Sequence, residues 1–300
     1  MTFTTKVKDE LSKIELDPIE NRNLLIGFIK INGIFNNNKL NIMLENPSVA
    51  RKLFKTLKYC YNKVAKITLR IQKKFKLKTI YILEVDDTDR CLKSEIENFN
   101  FNDEETKKSY IKGIFLASGN ISNPQKTYHL DLSFNNLEIA KLTQDILNDL
   151  NYNFKLLKRE KKYILYLKSS EEISDFLKLL GTNQALFFYE DIRIYRDHKN
   201  MVNRLNNCEQ ANIEKLLKAS DEQLKKIKYI KENDYYSLLD EKTQEVCELR
   251  LKYTEESFQT LAEILSSETQ KKVTKSYINH HFRKINNIYE KIIEESVNDK

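Results

Sequence analysis

Two side chains near the end of the chain, Asn279 and Arg283, are of the types that read DNA base edges, and they are one helical turn apart. Both lie in a predicted helix, Lys275–Ile293, which has one apolar face. The opposite face carries the candidate DNA-binding residues Lys275, Ser276, Asn279, His280, Arg283 and Lys284. No acid lies between Glu268 and Glu290, so basic charge is concentrated here. We expect this face to enter the major groove of double-stranded DNA.

A second candidate DNA-binding surface lies in residues 46–83, which contain eleven Lys and Arg and no acid. Residues 66–74 alternate strictly, as in a half-buried strand. The predicted apolar face, which should pack on helices, carries Ile67, Leu69 and Ile71, and the predicted outward face carries Lys66, Arg70 and Lys74. Phosphate contacts from such a basic face give affinity without sequence information. The alternative is a solvated face in a lysine-rich protein.

Residue patterns for catalysis, metals or cofactors are missing from the sequence. The four cysteines are scattered, without a C-x-x-C pair. His280 and His281 are adjacent, and adjacent helical positions point about 100° apart, which does not favour a shared ion. No G-x-x-x-x-G-K-[ST] phosphate loop occurs. We therefore predict no catalytic residue, no metal and no cofactor.

Four of the five glycines lie in two copies of one pattern, Leu25–Gly33 and Ile111–Gly119, 86 positions apart. Each copy predicts an apolar helix. Gly27 and Gly113 lie inside the helices, where a missing Cβ lets another helix approach closely. The terminal glycine of each copy is expected to be a left-handed C-cap. The chain is thus predicted to contain two similar halves joined through paired helices, the alternative being two unrelated buried helices.

The two nonamers resemble the paired helices of LAGLIDADG homing endonucleases. In that family the next-to-last position of each copy is an acid that holds the catalytic metals, but here those positions are Asn32 and Ser118. An amide and a hydroxyl are poor substitutes for carboxylates in two-metal hydrolysis. The resemblance therefore implies the fold, while the replaced acids argue against a nuclease. Two alternatives are an active metal-dependent endonuclease and a regulator gated by a small molecule, such as a nucleotide, in the emptied cleft.

Three further segments, Phe3–Leu11, Val202–Asn212 and Thr274–Ile285, resemble the bacterial WhiA family. That resemblance implies a degenerate LAGLIDADG domain joined to a C-terminal helix-turn-helix. It also implies transcription control linked to cell division and chromosome segregation, and to sporulation in bacteria that sporulate. Two departures are Tyr277, where the family usually has a small residue, and a longer polar turn, Ser266–Lys272.

The expected fold class is α+β: a pseudo-twofold LAGLIDADG-like two-repeat domain with αββαββα-type halves, followed by an all-α helix-turn-helix domain. The two-repeat domain is assigned to residues 1–190, with repeats at about 20–95 and 105–190. Residues 191–234 are predicted to be a helical connector, and 235–300 the helix-turn-helix domain.

The composition is that of a soluble globular protein, with 40% hydrophobic and 32% charged residues. The longest apolar stretches, such as Leu24–Ile29, are too short to span a bilayer. We expect a cytoplasmic, nucleoid-associated protein with double-stranded DNA as its partner, other transcription or division proteins as further partners, and no membrane association. The net charge of +7 adds little, because lysine is abundant throughout.

Overall fold

The chain divides into two compact units, Met1–Asp197 and His198–Lys300. The computed structural model describes residues 1–72 and 78–298. Within these ranges, no helix is both long and apolar enough to cross a membrane.

The first repeat of the N-terminal unit follows a short helix, α1 (Phe3–Lys13). Its elements are α2 (Pro18–Asn32), β1 (Gly33–Asn36), β2 (Lys39–Leu44), α3 (Pro47–Tyr61), β3 (Lys66–Gln72), β4 (Lys78–Asp86) and α4 (Cys91–Glu97). The start of α2 is fixed by a capping box, in which Asp17 and Glu20 exchange side-chain and backbone hydrogen bonds. Asn46 caps α3 in front of Pro47. The predicted αββαββα order is confirmed.

The second repeat has the same order of elements. They are α5 (Glu104–Ser118), β5 (Gly119–Ile121), β6 (Leu130–Phe134), α6 (Leu137–Asp149), β7 (Lys155–Arg159), β8 (Lys162–Leu167) and α7 (Ser170–Leu180). Asp103 caps α5, and Gly181 ends α7 in the left-handed conformation with a φ of 76°.

Each repeat forms an antiparallel four-stranded sheet, with strand orders β1-β2-β4-β3 and β5-β6-β8-β7. The central strands of each sheet bury their inner faces. The buried cross-strand pairs are Leu40–Val85, Ile42–Leu83, Leu130–Leu167 and Leu132–Leu165. The short first strand of each sheet is too brief to show an alternation in the sequence. Asn37 and Asn38 adopt positive φ values in the tight turn that joins β1 to β2.

The paired helices α2 and α5 contact each other through their interior glycines. A Cβ on Gly113 would lie 2.0 Å from the carbonyl oxygen of Leu24, and one on Gly27 would lie 2.3 Å from that of Tyr110. The expected close approach of two helices is therefore confirmed.

The terminal glycines of the nonamers do not adopt the expected left-handed conformation. Gly33 has a φ of −81° and Gly119 a φ of −71°, and each leads directly into a strand. The reason for glycine is steric, because a Cβ would lie 2.4 Å from the side chain of Ile29 at Gly33 and 2.2 Å from the ring of Phe115 at Gly119. The prediction of αL caps was wrong.

A long helix, α8 (Asn183–Glu232), includes the predicted connector up to residue 232. Its first turn is capped from α1, because the carboxylate of Glu10 accepts hydrogen bonds from the backbone N–H groups of Gln184 and Ala185, at 2.7 and 2.9 Å.

The C-terminal unit contains α9 (Glu241–Lys252), α10 (Phe258–Thr269) and α11 (Lys275–Asn298), after a short 3-10 helix, Tyr235–Leu238. Ile227 and Ile230, near the end of α8, are fully buried in the core of this unit. The last turns of α8 thus pack as a fourth helix beside the three that the sequence predicts. The predicted boundary near residue 234 lies beyond this packed segment.

Candidate nucleic-acid interface

Helix α11 begins where the sequence places it, at Lys275. The Oγ1 atom of Thr274 accepts a hydrogen bond from the backbone N–H of Tyr277 at 3.3 Å, so Thr274 is the N-cap. Ile278, Phe282, Ile285 and Ile292 are buried in the core of the unit. Tyr289 completes the predicted stripe but is half-buried.

The six predicted DNA-binding residues of α11 differ in exposure. Lys275, Ser276, His280 and Arg283 are exposed, while Asn279 and Lys284 are half-buried. Lys284 is engaged within the unit, because its Nζ lies 2.9 Å from Oδ2 of Asp240. This pairing holds the pKa of Asp240 well below its ordinary value, together with hydrogen bonds from Thr243. Lys275, Ser276, His280 and Arg283 therefore present exposed hydrogen-bonding groups on this face, whereas Lys284 is paired with Asp240.

The turn before α11 is shorter than predicted. Ser266, Ser267 and Thr269 lie in α10, where their hydroxyls donate to the carbonyl oxygens four residues earlier at 2.6–3.0 Å. Only residues 270–274 connect the two helices, and Gln270 takes the left-handed conformation with a φ of 54°. The prediction of a polar turn over Ser266–Lys272 was wrong, because hydroxyl side chains that are typical of turns can also bond within a helix.

A buried arginine, Arg250, supports the packing of α10 against α11, and no pattern in the sequence marks it. Arg250 is 2% exposed and donates to the carbonyl oxygens of Tyr253, Thr254 and Glu256. Its guanidinium lies 5.6 Å from the ring centroids of both Phe258 and Phe282. Burial lowers the pKa of Arg250 to about 10. The side chain fixes the loop before α10, and only the three-dimensional contacts distinguish it from a surface arginine.

The two adjacent histidines have separate environments. His280 is exposed, while His281 is buried and its Nδ1 lies 2.8 Å from Oγ1 of Thr243. Among the described residues, no group of three or more His, Cys, Asp or Glu side chains is placed to hold a metal ion.

The predicted basic strand, β3, is exposed along its whole length. Lys66 and Arg70 lie on one face, and Lys74 lies outside the described residues. The other face was expected to be covered, but Ile67, Leu69 and Ile71 are 46%, 60% and 63% exposed. This prediction was wrong because β3 is the edge strand, whereas α3 packs on β2 and β4.

The outward face of this sheet also carries acids. Lys66 lies opposite Glu84 in the register of β3 and β4. Glu84 forms an ion pair with Lys39, whose Nζ lies 3.0 Å from Oε1 of Glu84. The charge run in the sequence ends just before Glu84, so it overstates the positive charge of the folded sheet.

The two positions that would hold metal-binding acids are close to the C-terminal ends of the paired helices. Asn32 Nδ2 donates to the carbonyl oxygen of Ala117, and Ser118 Oγ donates to that of Ile114, both at 3.3 Å. Lys8 of α1 lines a cavity of about 520 Å³ together with Asn32 and Ala117. Burial lowers the pKa of Lys8 to about 8, against the opposing effect of Asp131. A lysine beside these helix ends disfavours a divalent cation there.

The fold and these helices define a class of protein in which a LAGLIDADG-like two-repeat domain is followed by a helix-turn-helix domain. Three family models match the chain: the WhiA N-terminal LAGLIDADG-like domain at residues 18–97, the WhiA LAGLIDADG-like domain at 107–199, and the WhiA C-terminal HTH domain at 202–289.

Full-length relatives agree with the domain matches. The chain is 34% identical to the "Probable cell division protein WhiA" of Ruminiclostridium cellulolyticum, over 97% of this chain and 98% of the relative. It is 35% identical to the protein of the same name from Staphylococcus aureus, with the same coverage. The chain belongs to the WhiA family.

Solved structures give the same result. The crystal structure of full-length DUF199/WhiA from Thermatoga maritima superposes with a TM-score of 0.62 at 27% identity, over 97% of this chain and 99% of the other. The N-terminal LAGLIDADG domain of DUF199/WhiA superposes with a TM-score of 0.51 at 26% identity, over 60% of this chain and 92% of the other.

Proposed function

We propose that this protein binds double-stranded DNA sequence-specifically and regulates the transcription of genes for cell division and chromosome segregation, without cutting DNA. It acts in the cytoplasm at the nucleoid, alongside other transcription or division proteins. The names of its relatives as probable cell division proteins support the physiological part of this proposal. The helix-turn-helix match over residues 202–289 supports DNA as the partner.

The single observation that carries the proposal is the two-faced structure of α11. Ile278, Phe282 and Ile285 anchor one face in the core, while Arg283 and His280 stand exposed on the other. Asn279 lies one turn before Arg283, so the two side chains can reach adjacent base pairs from a single helix. Lys275 and Ser276, in the first turn, are proposed to contact phosphates beside the groove. Lys284 is also proposed to contact a phosphate. Its ammonium group would then lie between that phosphate and the carboxylate of Asp240.

The N-terminal domain is proposed to add a second, sequence-independent contact through Lys66, Arg70 and Lys74. This contact contributes affinity by releasing counterions from the phosphates, and it falls with salt. The neighbouring Glu84 reduces the net charge of the same face, so the contribution is expected to be moderate.

Loss of nuclease activity is proposed from the residues at the helix ends. Asn32 and Ser118 use their polar groups in hydrogen bonds to helix carbonyls, and the nearby ammonium group of Lys8 opposes metal binding. Two-metal phosphodiester hydrolysis needs carboxylates at such positions.

The experiment that tests the function is genome-wide mapping of where the protein is bound, with the transcripts measured in parallel. We expect discrete peaks that share one sequence and lie near division or segregation genes whose transcripts change when the gene is deleted. The Arg283→Ala variant should lose these peaks while remaining folded and expressed. Uniform coverage of the chromosome, equal for both proteins, would refute sequence-specific regulation.

A further inference from the structure

A concave pocket of about 630 Å³ lies between α1 and the first repeat, and the proposed DNA contacts do not use it. It is formed by the end of α1 and the loop after it, the start of α2, and the outer side of α3. Its volume is in the range of small-molecule sites in proteins.

The pocket lining is strongly basic. Lys13, Arg51, Lys52 and Lys55 line it, and Glu15 is the one carboxylate among its lining residues. Within the described part of the chain, Lys13, Arg51 and Lys55 make no ion pair. The only hydrogen bond of Arg51 there joins its Nε to the carbonyl oxygen of Pro47 at 3.3 Å. Three cations therefore face this concavity without a counter-charge of their own.

Lys52 is the most constrained cation of the set. Its Nζ donates to the carbonyl oxygen of Ile14 at 2.9 Å. Burial lowers the pKa of Lys52, and the positive charges of Lys55 and Lys112 lower it further, while Glu20 opposes them. An anion in the pocket would relieve this repulsion, and the low polarity around a half-buried ammonium would strengthen the attraction.

One further lining residue, Tyr59, indicates a ligand that is larger than a phosphate ion. Tyr59 is 78% exposed, so its ring can receive a flat group from the ligand.

We propose that this pocket binds a nucleoside phosphate. The phosphates bind Arg51, Lys52 and Lys55, and the base lies along the ring of Tyr59. This ligand site goes beyond DNA recognition, and it gives the N-terminal domain a small-molecule input. It is distinct from the ends of the paired helices, because Asn32 and Ser118 do not line it.

The test is titration calorimetry on the full chain at low salt, with ATP, GTP and inorganic pyrophosphate as probes. Pyrophosphate measures binding to the cations alone. The nucleotides also carry a base, so they measure the contact with the ring of Tyr59 as well. We expect Arg51→Ala with Lys55→Ala to weaken all three probes at least tenfold. Tyr59→Ser should weaken the nucleotides but leave pyrophosphate unchanged. Lys58→Ala is the matched control, since Lys58 is an exposed cation of α3 that does not line the pocket.

Three results of the titrations would overturn the proposal. The first is no heat of binding with millimolar nucleotide. The second is an equal loss for Lys58→Ala, which would mean diffuse attraction to a basic protein. The third is nucleotide affinity that is unchanged in Tyr59→Ser, which would reject the nucleoside and leave an anion site. Affinity for DNA, measured in the same variants, should fall no more than it does in Lys58→Ala. A larger loss of DNA binding would mean that these cations bind DNA and not a nucleotide. The ligand proposal would then fail while the DNA-binding function stands.

Discussion

The Oγ1 atom of Thr243 lies 2.8 Å from Nδ1 of His281, and this contact joins the start of α9 to the second turn of α11. The same hydroxyl donates to Oδ1 of Asp240 at 2.9 Å, so Nδ1 of His281 must be the donor to Thr243. Asp240 also binds Lys284. Two residues of α11 are therefore held by one N-cap, and this network fixes the exposed face that we assign to DNA.

The C-terminal unit should lose stability as the pH falls from 7.5 to 5.5. Burial lowers the pKa of His281, so the unfolded chain binds a proton near pH 6.5 while the folded chain resists it. Hydrogen exchange of α9 and α11 peptides, corrected for intrinsic rates, should show weaker protection at pH 5.5. His281→Gln should flatten this dependence, whereas His280→Gln, at an exposed position, should retain it. An equal slope in all three proteins would remove His281 as the cause.

Replacing Gly113 by Ala should destabilise the N-terminal unit by roughly 3 kcal/mol or more, since backbone atoms rather than a flexible side chain would meet the new methyl group. Gly181→Ala is the control, because the nearest atom there is 3.5 Å away and only the positive φ is strained, at about 1–2 kcal/mol. Urea unfolding followed by circular dichroism measures both. Equal losses would mean that helix contact is not the reason for Gly113.

Purified protein should leave plasmid and target duplex intact in magnesium or manganese. The amide of Asn32 and the hydroxyl of Ser118 do not supply the charges that hold two metal ions. Gel analysis after long incubation is sufficient, with an active magnesium-dependent nuclease as the positive control. Cleavage that disappears when Asn32 or Ser118 is replaced by Ala would show that the nuclease has been retained.

Removing two charges from β3, by Lys66→Ala with Arg70→Ala, should weaken binding to all DNA sequences about equally. The salt dependence of affinity should also flatten by about 0.9 for each lost phosphate contact. Glu84→Gln should have the opposite effect. It removes the acid that lies opposite Lys66 in the ladder, so affinity for DNA should rise. Unchanged affinity and slope in both variants would mean that β3 is only a solvated face.

The sequence was sufficient to predict the two-fold repeat and the buried face of α11. Glycines at equal spacing marked the contact of α2 with α5, and the Ile278–Phe282–Ile285 stripe marked the buried side of α11. Both are local patterns of residue spacing, so they can be recognised without knowing which element packs against them.

Properties that depend on the neighbouring element could not be read from the sequence. The alternation in β3 predicted a covered apolar face, but an edge position leaves Leu69 exposed. The charge of the sheet depended on the cross-strand partner of Lys66, which is 18 positions away in the chain. The contacts of Arg250 and His281, both buried, likewise exist only after α9, α10 and α11 have packed.

The central claim, that α11 reads the DNA sequence, is tested most directly by the specificity of Arg283→Ala and Asn279→Ala. Selection from a random duplex library would first define the preferred site of the wild-type protein. Each variant should then lose about 1–3 kcal/mol of preference for that site over random DNA, with the fold intact. Lys291→Ala, which removes an exposed charge two turns further along α11, should keep the preference. Full preference in both Arg283→Ala and Asn279→Ala would contradict the account.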